Sequence, residues 1–112
     1  MNFPKGTILI SKHANAIHPI VYLEKNDGPY FLGLMLTKDT TKENLKMQPG
    51  HFTDGFKYKN THVVNAFLLK PNEWEPFKII GRLTAEGIKF IQDNVQELQN
   101  PILWEDYVAA KA

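Results

Sequence analysis

Thr84-Ala85-Glu86-Gly87-Ile88-Lys89-Phe90-Ile91-Gln92-Asp93-Asn94-Val95-Gln96-Glu97-Leu98-Gln99 is the stretch on which the reading of the fold turns. Ile88, Ile91, Val95 and Leu98 follow one another at spacings of three, four and three, which stacks them on one face of an α-helix. Thr84 has the hydroxyl that an N-cap needs to accept a backbone N–H, and Glu86 sits in the first turn, where the helix dipole favours an anion. Asn100-Pro101 supplies the stop, because proline lacks a donor and restricts the residue before it. The spacing predicts one amphipathic helix over about 84–99.

Upstream of this helix the period changes. Phe77 to Leu83 reads as one short strand, and Thr61-His62-Val63-Val64-Asn65-Ala66-Phe67-Leu68-Leu69 reads as a strand apolar enough to be buried on both faces. Tyr30 to Thr37 is a further apolar run. It is preceded by Asn26-Asp27-Gly28-Pro29, a turn sequence that joins it as a hairpin to Ile20-Val21-Tyr22-Leu23. Pro19 stands at the mouth of that strand, where proline is tolerated. Thr7-Ile8-Leu9-Ile10, after the turn-like Pro4-Lys5-Gly6, is a first buried strand. Lys38 to Asn60 is polar, marked by Pro49-Gly50 and Asp54-Gly55, and reads as a long loop of the kind that carries function or partial structure. The tail Ile102 to Tyr107 is apolar and reads as a short second helix or an interface strip. The expected fold class is mainly β with a C-terminal helix, in a single domain covering 1–112.

The bulk properties agree with one such core. A chain of 112 residues with a 43% hydrophobic and 12% aromatic share is of ordinary domain size and composition. No cysteine is present, so neither a disulfide frame nor a thiolate metal site is available. The N-terminal run Ile8-Leu9-Ile10 is too short for a secretory signal, and no stretch reaches the ~20 apolar residues of a membrane span. A soluble, cytoplasmic protein with no membrane partner is expected. The formal charge of +1 gives no global field for polyanions, so any nucleic-acid site must be local.

One local candidate is the central basic segment, in which Lys38, Lys42, Lys46, Lys57 and Lys59 are interleaved with Phe52, Phe56 and Tyr58. Charge and aromatic faces together suit single-stranded nucleic acid. A solvated loop with its aromatics turned inward satisfies the same pattern. His51, next to Phe52, could stack on a base. Arg82, the sole arginine, stands at the helix mouth, where it could hold a phosphate or pair with Glu86. The four histidines, His13, His18, His51 and His62, have no ligand-motif spacing, so no metal and no cofactor is expected. His62 reads as a strand-end residue. Trp74 and Phe77 bracket a connector that could clamp a peptide but serves equally as packing. Glycine-x-serine-x-glycine and phosphate-loop patterns are absent, and the carboxylate pairs Glu24/Asp27 and Glu73/Glu75 lie in or beside turns.

The order of pieces resembles the MazF and PemK growth-inhibitor toxins over about Lys5 to Val95. It runs from a strand to the His18-Pro19 strand, to a strand ending Leu36-Thr37, through a variable loop to another strand, and then Lys78-Ile79-Ile80-Gly81-Arg82-Leu83-Thr84 into a helix. Ile80-Gly81-Arg82-Leu83-Thr84 looks like the isoleucine-glycine-basic-leucine-hydroxyl step that opens the C-terminal helix in that family. The resemblance implies a small Src-homology-3-like barrel. It also implies a metal-independent endoribonuclease of a toxin-antitoxin system, dimeric and neutralised by an antitoxin protein. The family's catalytic pair is an arginine before the proline of the second strand and a serine or threonine at the end of the third. Thr37 matches the latter, and His18 stands in the arginine's place. By this resemblance the catalytic candidates are His18 and Thr37, and Lys38, Lys57, Arg82, His51 and Phe56 are candidates for RNA contact. The alternative is a non-catalytic barrel that binds a peptide or nucleic acid as an adaptor.

Overall fold

The computed structural model describes residues 3–11, 19–25, 30–37, 44–53, 62–64, 68–71, 77–95, 102–103 and 106. In chain order these form β1 (Thr7–Ser11), β2 (Ile20–Lys25), β3 (Tyr30–Thr37), β4 (Asn44–Lys46), a 3-10 turn (Pro49–His51), β5 (His62–Val64), β6 (Leu68–Pro71), β7 (Phe77–Arg82), α1 (Ala85–Asn94) and β8 (Ile102–Leu103). The protein is mainly β with one helix near its C-terminal end. Among the described residues no helix is long and apolar enough to cross a membrane.

The strands pair in the order β4-β5-β3-β2-β1-β7, with β6 also on β3 and β8 beside β6. All pairs are antiparallel except β6 with β8. Two register breaks bend this sheet. Tyr22 faces Gly33 and Glu24 faces Leu32, so Leu23 is an extra residue on β2; Ile8 faces Gly81 and Leu9 faces Ile79, so Ile80 is extra on β7. A bulge of this kind raises the local right-handed twist and curls the sheet.

The curl gives the sheet two buried faces. Ile8, Val21, Leu23, Leu34, Leu36 and Val63 point to one side, where Ile91 and Val95 of the helix segment close a core with Met47 and Leu83. Their neighbours along the strands, Leu9, Ile20, Tyr22 and Phe31, point to the other side and pack with Phe3 and Phe77. Tyr22 lies 5.5 Å from Phe3 and 5.3 Å from Phe31 between ring centroids, and Phe31 meets Phe77 edge-on at 5.7 Å. The helix is held over the first face by Ile91, which is fully buried. Burying such a side chain is worth about 1.5–3 kcal/mol.

Several expectations need correction. The strands do not close into a barrel among the described residues, because the path has free ends at β4 and β7. Between them runs a single bridge, Phe52 to Leu83, in which Thr53 N–H donates to Arg82 O and Thr84 N–H to His51 O. After β4 the chain turns through Pro49–His51, so no ladder can continue to that bridge. The segment 38–60 is not simply a loop, since it contains β4 and the 3-10 turn. Only Leu45 of β4 packs against the core, which leaves no periodic signal in three residues.

The 61–69 strand is two pieces. Leu36 faces Val63 while Gly33 faces Leu68, so the registers of β5 and β6 on β3 differ by two residues, and 61 and 65–67 lie outside the described residues. The helix is also shorter than the spacing predicts. Val95 has φ −73° and ψ 129° and closes α1 as its C-cap, and 96–100 lie outside the described residues. In the tail, Ile102–Leu103 joins the sheet as β8.

Candidate functional site

Thr37 ends β3, the strand with neighbours along both of its edges, and it is buried at 5% exposure. Directly opposite it on β5 is His62, and directly opposite His62 on β4 is Lys46. Residues that face each other across a ladder share one side of the sheet, with Cβ atoms ~4.5–5.5 Å apart. The next row, Leu36, Val63 and Leu45, belongs to the helix-covered core. Since side chains alternate along a strand, the Lys46–His62–Thr37 row stands on the opposite face.

Exposure falls along the row from exposed Lys46 through half-buried His62 to buried Thr37. An ammonium, an imidazole and a hydroxyl therefore line a slope that leads from solvent into the sheet. Such a set can neutralise an anion, move a proton and donate a hydrogen bond. Lys46 takes part in no ion pair among the described residues, where the one such pair is Lys89 with Asp93 at 2.6 Å.

Of the residues expected to act from the sequence, Thr37, His51 and Arg82 are described, whereas His18, Lys38, Phe56 and Lys57 lie outside the described residues, as do His13 and Trp74. Pro19, the residue after His18, is buried, and its carbonyl accepts from Leu36 N–H at 2.9 Å. The structure does not bring Arg82 to Thr37. Arg82 faces Thr7 on edge strand β7, and β1 and β2 stand between it and β3. That is roughly 14 Å around the sheet at about 4.8 Å per strand. Arg82 is exposed and forms no ion pair with Glu86.

His51 is taken up in docking the helix. Its Nδ1 accepts from Gln48 N–H at 3.0 Å, and its ring lies on Phe90 with centroids 4.6 Å apart. The acceptor role makes that ring the tautomer protonated on Nε2. Its carbonyl meets the helix where α1 has Gly87: a Cβ built there would stand 3.1 Å from the carbonyl carbon and collide with the oxygen.

Sequence reading missed His62 and Lys46 as partners of Thr37. The signal that could have found them is the pairing register of β3, β4 and β5, which depends on residues far apart in the chain. Among the described residues no three metal-ligating side chains gather. Comparison with known proteins returns no matching family model, no matching curated protein and no matching solved structure, so the functional reading rests on the residues and geometry of this chain.

Proposed function

We propose that this chain is a toxin-like, metal-independent endoribonuclease that cuts single-stranded RNA. The observation that carries the reading is the buried hydroxyl of Thr37 at the end of β3, set in one row with an imidazole and an ammonium. RNA carries its own nucleophile in the 2′-hydroxyl. A protein that cuts it needs only to take that proton, to neutralise the phosphate and to let the 5′-oxygen leave.

The strand order and the helix entry at Thr84 add support, as the curled sheet tied by one bridge suits a partly open small barrel of the Src-homology-3-like kind. The MazF and PemK resemblance of the sequence belongs to the same reading, with an antitoxin and a homodimer as its further consequences.

The test is incubation of the purified protein with mixed-sequence single-stranded RNA in a chelator, with end-group analysis of the products. A 2′,3′-cyclic phosphate and a 5′-hydroxyl are expected, and Thr37→Val should lower the rate at least tenfold. Absence of cleavage at every pH from about 5 to 8, the range in which histidine titrates, overturns the reading. RNA binding without cleavage would instead favour the adaptor.

A further inference from the structure

We draw no further inference here: the strongest candidate, the outer edge of strand β7 with exposed Ile79 between the cations Lys78 and Arg82, carries nothing because nothing among the described residues shows what covers it.

Discussion

The hydroxyl of Thr84 donates to the carbonyl of Gly50 at 2.8 Å, across 34 residues of sequence, and also accepts from Gly87 N–H at 3.1 Å. One side chain thus caps α1 and fastens it to the 3-10 turn that follows β4. The bridge from Phe52 to Leu83 lies immediately beside this contact. The join between the two ends of the strand path therefore depends on it.

Thr84→Ala should lower unfolding free energy by about 1–2 kcal/mol, the usual cost of a lost N-cap. Thr84→Ser keeps both hydrogen bonds and should recover most of that loss. Urea denaturation of the two variants checks it. Equal destabilisation by both would mean that the threonine methyl, rather than the hydroxyl, holds the joint.

At Gly87 two effects oppose each other, and their sizes decide the sign. Alanine is favoured over glycine inside a helix by about 1 kcal/mol. Here, however, the added Cβ meets the backbone of His51, which cannot rotate away as a side chain would. Overpacking typically costs about 1–3 kcal/mol. Gly87→Ala should destabilise on balance and detach the 3-10 turn, seen as faster amide exchange at Phe52 and Thr53. A gain in stability would contradict the close approach.

Tyr22 should make stability fall in alkali. Burial raises its phenol pKa above the ordinary value, with Glu24 adding to the rise and the backbone of Phe3 opposing it. A raised folded value means that the folded protein keeps its proton when the unfolded chain has lost its own. The contribution is complete below the unfolded pKa of about 10 and disappears as pH rises through the folded one. Urea midpoints measured upward from pH 9 should decline in the unmutated protein, and the decline should be smaller in Tyr22→Phe. Identical curves would sink the argument.

Under the proposed ribonuclease reading, Arg82 tests where RNA would run. Two strands separate it from the strand of Thr37, so Arg82→Gln should leave kcat within about twofold and act on affinity alone, with a shallower salt dependence. A tenfold loss of kcat would put the reacting phosphate at the helix mouth instead of on the Lys46–His62–Thr37 row.

Local chemistry made much of this fold readable in the chain. The strands Thr7–Ser11, Ile20–Lys25 and Tyr30–Thr37 announce themselves by apolar runs between turn residues, and the start of α1 by Thr84, because those signals act between near neighbours. The same apolar run marks Thr37 as a strand end, whereas its candidacy as a catalytic residue comes only from the resemblance of the strand order to the MazF and PemK toxins.

What the sequence could not settle by itself depends on partners far along the chain. β4 has three residues and exists because β5 pairs with it; β8 exists because β6 accepts it. The single 61–69 strand divides because β3 holds its two halves in registers two residues apart. His51 goes to Phe90, and Arg82 is left at an edge, for reasons of packing that no local pattern encodes. The same is true of the row that joins Lys46 and His62 to Thr37. Sequence alone determined which residues could be strand, cap or core; only tertiary pairing decided which of them stand together, because register is set by cross-strand burial and not by neighbours in the chain.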